Sequence, residues 1–265
     1  MSTVYVAQHR AWPDAKATAE AILTDLEHSV TDDASFVVLP ENAFSGSEDP
    51  EVPDALRDHV VDRLAALAQQ RGTYVLTGSW PERGAAGREQ VAHLIDDRGE
   101  IVTTVRRPVL PDGTTGSGTD FPVVETPHGK VGVLLGSDFW LVEPPRIQCL
   151  QGAELLLVSG AVRSSYPERQ RAAVWGIATL NTVAIAFAGG LGHGGAGGSC
   201  VVMPEDFAVR ADLAEGVVGA PWDVELIRHL RQPDLKFQET LWFGLWARRP
   251  DLYTDLTVAG AGDGS

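Results

Sequence analysis

The sequence predicts an α/β protein built as a four-layer α-β-β-α sandwich, with two central sheets and helices on both outer faces. Three observations predict it. Short β-branched runs alternate with amphipathic helical stretches near both ends of the chain. Between those ends the pattern shifts to successive strands, which suits two sheets packed face to face. No internal repeat or long linker divides the 265 residues, a length that suits one large domain. The expected domain covers residues 1–258, with 259–265 as a frayed tail.

Taken in order, Thr3–Gln8 and Ser35–Leu39 read as buried strands. Asp14–Val30 between them places Ala21, Leu23 and Leu26 at helical spacing. Pro50–Gln70 is a second helix, with Leu56, Val60, Leu64 and Leu67 on one face and Gly72 as its stop. Strands are then expected at Thr73–Ser79, Gln90–Asp96, Glu100–Arg106 and Val131–Leu135. Asp97-Arg98-Gly99 supplies the turn chemistry of a hairpin. Helices over Pro144–Gly152 and Pro167–Leu180 alternate with strands Glu154–Ser159 and Val183–Ala188. A glycine-rich loop, Gly189–Gly198, leads into a strand over Ser199–Met203, and a short helix covers Asp223–Arg231.

Bulk properties narrow the function. A net charge of −15 argues against non-specific binding to nucleic acid or to anionic membranes. No stretch approaches the roughly 20 apolar residues of a membrane span, and the N-terminus lacks a signal-peptide core. Cys149 and Cys200 stand apart without metal spacing, which suits a reducing cytoplasm, and neither a metal nor a cofactor is expected. Gly190-Leu191-Gly192-His193-Gly194-Gly195 formally matches a dinucleotide fingerprint. It precedes a strand rather than opening a helix, so a loop near the pocket mouth is expected instead.

Three segments carry chemistry. Leu39-Pro40-Glu41-Asn42-Ala43-Phe44-Ser45-Gly46 puts a carboxylate just past a buried strand, where α/β sheets usually bind ligands. Val105-Arg106-Arg107-Pro108-Val109-Leu110-Pro111 carries a pair of arginines. Gly129-Lys130-Val131-Gly132-Val133-Leu134 runs into the turn Gly136-Ser137-Asp138, followed by Phe139 and Trp140. Together with Gly152-Ala153-Glu154, the late strand Gly198–Pro204 and Arg248-Arg249-Pro250-Asp251-Leu252-Tyr253, these segments resemble the nitrilase (carbon–nitrogen hydrolase) superfamily.

That resemblance implies a Glu–Lys–Cys site. Glu41 falls on the general base. Arg107 falls on the Lys that stabilises the oxyanion, Val109 on a His and Val105 on a Tyr. The nucleophile's place, however, is Gly136. A second Glu of many members is missing from the short loop Asp112–Asp120, where Asp112 and Asp120 are only loose stand-ins. Ser137 is the one hydroxyl near the lost thiol, but adjacent side chains on extended backbone face opposite ways.

Two readings follow. In the first, the pocket is remodelled and cannot perform thiol-dependent amide or nitrile hydrolysis. In the second, the chain is an active hydrolase, or a thiol-independent enzyme with Glu41 as general base and Arg107 as anion binder. The candidate site residues are Glu41, Arg107 and Ser137, with Gly136, Asp138, Phe139 and Trp140 lining the pocket. The expected partners are an amide-, nitrile- or carboxylate-like small molecule and a second copy of the chain, as a homodimer or higher homo-oligomer. That contact is expected to use Pro144–Gly152, Pro167–Leu180 and the apolar tail Lys236–Tyr253.

Overall fold

Alternation along the strands decides the layering. The structure is a computed structural model that describes residues 2–45, 52–84, 87–108, 116–160, 167–192, 195–211, 213–232, 245 and 248–257. In β1 (Ser2–Gln8), Val4 and Val6 face one way and Ala7 the other; in β2 (Ala34–Val38), Phe36 and Val38 oppose Val37. Because both faces are apolar, each strand is buried on both sides and lies between two layers.

The first sheet contains β1, β2, β3 (Tyr74–Leu76), β4 (Trp80–Gly84), β5 (Gly87–Ile95), β6 (Ile101–Arg106) and β13 (Gly216–Trp222). The second runs β12-β11-β10-β9-β8-β7. Its strands are β7 (Val123–Thr126), β8 (Gly129–Leu135), β9 (Leu155–Gly160), β10 (Ala184–Gly189), β11 (Cys200–Val202) and β12 (Phe207–Arg210). Val4, Val6, Phe36 and Leu76 of the first sheet share one core with Val131, Val133, Leu155 and Leu157 of the second. Two further cores lie outside. Helices α1 (Ala15–Ser29) and α2 (Asp54–Arg71) cover the first sheet through Ile22, Leu23, Leu26, Val60 and Leu64. Helices α3 (Glu143–Leu150) and α4 (Pro167–Asn181) cover the second, where Cys149, Val174 and Ala178 meet Leu156, Ile185 and Phe187. A last helix, α5 (Val224–Leu230), is capped by the Asp223 carboxylate, which accepts from Glu225 and Leu226 N–H.

The four-layer expectation holds, and local chemistry explains the element ends. Asp14 caps α1, Gly72 closes α2 in the left-handed conformation, and the Asp96 carboxylate accepts from the N–H of Arg98 and Glu100 to fix the β5–β6 turn. Four strands have no counterpart among the sequence expectations: β4, β7, β12 and β13. The turn after β8 is also not extended. Gly136–Trp140 forms a 3-10 helix, so the opposite-face argument about Ser137 loses its premise.

The strands β1, β2 and β3 are parallel, as are β8, β9 and β10. Their carboxyl ends carry Gln8, Leu39, Leu135, Gly160 and Gly189, and polar side chains stitch the two sheets together there. Ser79 N–H donates to Ser159 Oγ at 3.0 Å, Ser199 N–H to Gln8 Oε1 at 3.0 Å, and Ser199 Oγ to Ala7 O at 3.2 Å. No helix among the described residues is long and apolar enough to cross a membrane. On the outer side, Trp140, Leu141, Val142, Ile147, Leu150, Trp175 and Leu180 remain exposed along the turn, α3 and α4.

Candidate functional site

Three charged side chains meet where the sheets end. Glu41 follows β2, Arg107 follows β6 and Asp138 lies in the turn after β8. Arg107 Nη1 stands 3.6 Å from Glu41 Oε1, and Arg107 Nε stands 3.5 Å from Asp138 Oδ1. The side chains retain only 2%, 8% and 5% exposure for Arg107, Glu41 and Asp138. Ion pairs this dry are held in place by the cost of leaving any member alone.

The backbone explains why the three can meet. Glu41 N–H donates to Gly160 O at 3.2 Å, tying the Glu to the opposite sheet. Arg107 N–H donates to Gln90 O at 3.0 Å, so β5 holds it one residue past β6. Gly136 adopts φ +55°, a conformation L side chains rarely take. A Cβ there would lie 2.5 Å from Arg107 Nη1, 2.5 Å from Glu41 Oε2 and 2.7 Å from Arg107 Cζ. The guanidinium and carboxylate therefore occupy the volume that any side chain at 136 would need.

A second tier of polar residues holds the chain just after Glu41, and the sequence reading did not single it out. Asn42 takes φ +54°, and its N–H donates to Ser79 O at 2.6 Å. Gln90 Nε2 donates to Asn42 Oδ1 at 3.2 Å and to Ser79 Oγ at 3.0 Å. Asn is one of the few side-chain-bearing residues that tolerates the left-handed region, and that was the one available signal.

Of the expected pocket residues, Gly136 and Asp138 join Glu41 and Arg107. Phe139 instead packs into the outer core, 5.0 Å ring to ring from Phe187, and Trp140 stacks on Phe139 at 4.8 Å with its outer face exposed. Asp120 is exposed. The Ser137 side chain, Val109, Asp112, His193 and most of the apolar tail lie outside the described residues. The glycine-rich loop does pass the site, since a Cβ on Gly190 would be 3.6 Å from Pro40 Cβ and 3.8 Å from Glu41 O. Glu154, by contrast, is architectural. It accepts from Lys130 N–H at 2.8 Å and from Arg228 Nε at 2.6 Å.

Burial pushes the Asp138 carboxyl up to about 6, against the opposing pull of Arg107. A carboxyl raised on folding binds its proton more tightly in the folded state. Asp138 therefore favours the folded state most below about pH 4, and that contribution falls as pH rises toward 6, by up to about 3 kcal/mol. Asp138→Asn should remove that slope, which urea denaturation at pH 4.5 and pH 7 will check; an unchanged slope would exclude Asp138 as its source. Both thiols are remote from the cluster, buried behind Leu156 and Ile185, and burial pushes each up to about 12. Among the described residues no group of three or more His, Cys, Asp or Glu is placed to hold a metal ion.

Comparison with known proteins agrees with this frame. The family model described as carbon-nitrogen hydrolase matches residues 3–232. A Pseudomonas protegens protein, the hydrolase in the pqqF 5' region, is 30% identical over 247 residues, covering 85% of this chain and 81% of its own. The N-carbamoylputrescine amidase of Arabidopsis thaliana is 28% identical, with 73% of this chain and 71% of that one covered. Among solved structures, a Helicobacter pylori G27 carbon-nitrogen hydrolase superposes with TM-score 0.79 at 23% identity, covering 96% and 98% of the two chains. A cysteine-to-alanine mutant of the Nesterenkonia AN1 amidase, from the nitrilase superfamily, gives TM-score 0.75 at 22% identity, covering 96% and 97%. With the sandwich, the conjunction of Glu41, Arg107 and Asp138 at the strand ends, and a family match over most of its length, this chain belongs to the carbon–nitrogen hydrolase family.

Proposed function

We propose that this chain is a carbon–nitrogen hydrolase family member that does not perform thiol-dependent amide or nitrile hydrolysis. One observation carries the reading: the place a nucleophile's Cβ would take at Gly136 lies 2.5 Å from both Arg107 Nη1 and Glu41 Oε2. A Glu-to-Gln mutant of the Nesterenkonia amidase has been solved with acrylamide added to its active-site cysteine. The turn here that resembles the family's nucleophile turn, Gly136-Ser137-Asp138, carries no thiol, and the guanidinium fills the space a side chain at 136 would take. Acyl transfer needs an activated nucleophile beside its base, and the residue that this turn sets against Glu41 is Gly136, which has no side chain.

The closed cluster also disfavours Arg107 as a binder of anions, because two carboxylates already flank it. The test is an assay of purified protein against simple amides, nitriles and N-carbamoyl amines. Ordinary turnover of any of them would overturn the reading. A companion measurement addresses the remaining thiols. Iodoacetamide at pH 8 should label neither Cys149 nor Cys200 in the native protein and both after unfolding, as mass spectrometry will show. Rapid native labelling of either would reopen thiol chemistry.

In the same reading, the apolar row from Trp140 to Leu180 is covered by a second copy of the chain, forming a homodimer. A monomeric mass by light scattering would remove this part. Two free, buried cysteines support a cytoplasmic location; fractionation of cells producing the protein would test it, and recovery outside the cytoplasm would refute it.

A further inference from the structure

We propose that the strand ends at Glu41, Gly136 and Asp138 form a receptor for a guanidinium-type cation, occupied in cis by Arg107. The inference rests on the thiol-loss reading above and changes the class of ligand. Where the sequence suggested an amide, nitrile or carboxylate, the geometry fits a flat cation.

Three features support it. First, the two carboxylates come from opposite sheets and flank one guanidinium, Glu41 Oε1 at 3.6 Å from Nη1 and Asp138 Oδ1 at 3.5 Å from Nε. Two buried carboxylates this close to one centre repel any anion and favour a positive charge between them. Second, the group lying between them is itself a guanidinium, and it is almost wholly removed from water. Third, the wall beside it has no side chain. Nη1 and Cζ of Arg107 would lie 2.5 and 2.7 Å from a Cβ on Gly136, so the bare turn leaves room for a planar head. A compact ammonium would supply the charge without the flat shape or the fork of donors.

Arg107→Ala vacates the receptor and makes it testable in the full chain. Millimolar guanidinium chloride should raise the melting temperature of R107A saturably, by about 5 °C, as linkage gives for a site filled well above its Kd. Wild type should show no such rise, and urea or sodium chloride at equal concentration should not reproduce it in R107A. No rise in R107A, or an equal rise with urea or sodium chloride, overturns the proposal. Should R107A be recovered only as aggregate, it is refolded from urea with and without millimolar guanidinium chloride, which keeps both carboxylates in place. A soluble yield that does not rise with guanidinium, or that rises equally with sodium chloride, overturns the proposal. Neither outcome depends on hydrolysis. Amide turnover by wild type would remove the thiol-loss reading, whereas failed rescue removes only the receptor.

Discussion

Gly136→Cys should destabilise the protein by about 2–5 kcal/mol and yield no hydrolase activity. Two costs add. A side chain in the left-handed region costs roughly 1–2 kcal/mol, and overpacking a tight interior costs about 1–3 kcal/mol. The atoms that the new Cβ would meet are side-chain ends, Arg107 Nη1 and Glu41 Oε2, which could move aside at an exposed site. Here both side chains are more than nine-tenths buried and tied to one another, so neither can move without breaking the cluster. Urea denaturation gives the stability, and an amide assay gives the activity. A variant as stable as wild type that hydrolyses acetamide would sink the steric account. Adding Arg107→Lys to the same variant should recover part of the loss, because lysine lacks the planar fork that fills the space.

Arg107→Met should cost about 3–5 kcal/mol at pH 7, the usual loss when one partner of a buried ion pair is removed. The apolar stem is roughly preserved, so little of that loss is packing. What remains is two carboxylates without their cation. The loss should depend on pH in a definite direction. Arg107 pulls the Asp138 carboxyl down against the push of burial. Without it, Asp138 holds its proton more tightly, so the gap to wild type should narrow as pH falls from the variant's higher pKa toward about 6 and stay narrow below it. A stability difference that stays constant between pH 4.5 and pH 7.5 would refute the charge explanation and leave only a shape effect.

Much of the fold was legible because the central strands are apolar on both faces. Thr3–Gln8, Ser35–Leu39 and Val131–Leu135 announce themselves without any partner. The strands that were missed lack that signal. β13, Gly-Val-Val-Gly-Ala-Pro-Trp, carries two glycines and a proline, and sits at the edge of its sheet paired to β1. Edge positions tolerate proline, so pairing with a neighbour rather than local pattern makes it a strand. β4 contains Pro81 and pairs only with β5 in its sheet, while β7 and β12 have four residues each, too few for a period to show.

The site divides the same way. Glu41, Arg107 and Asp138 stood out from short motifs, each at the end of a recognisable strand. Their closure on one another did not, since it depends on how two sheets dock and on the volume left by a glycine. Phe139 and Trp140 went to the outer core and surface because the 3-10 turn rotates them away, whereas an extended segment would not. Asn42, Gln90, Ser79 and Ser159 are ordinary polar residues in sequence. Only the hydrogen bonds between distant strands give them a role.

The exposed apolar row along α3 and α4 begins inside the site's own turn. Trp140 ends the 3-10 helix that starts at Gly136 and contains Asp138. A body that covers Trp140 and Leu141 thus grips the segment that carries one corner of the charge cluster. If such a cover forms, the two events would be linked. Any preference of a covering surface for the present shape of the turn reinforces the closed cluster by the same free energy, and a disrupted cluster weakens the cover by an equal amount. On the proposed dimer, association and charge burial would therefore act on each other through this one turn.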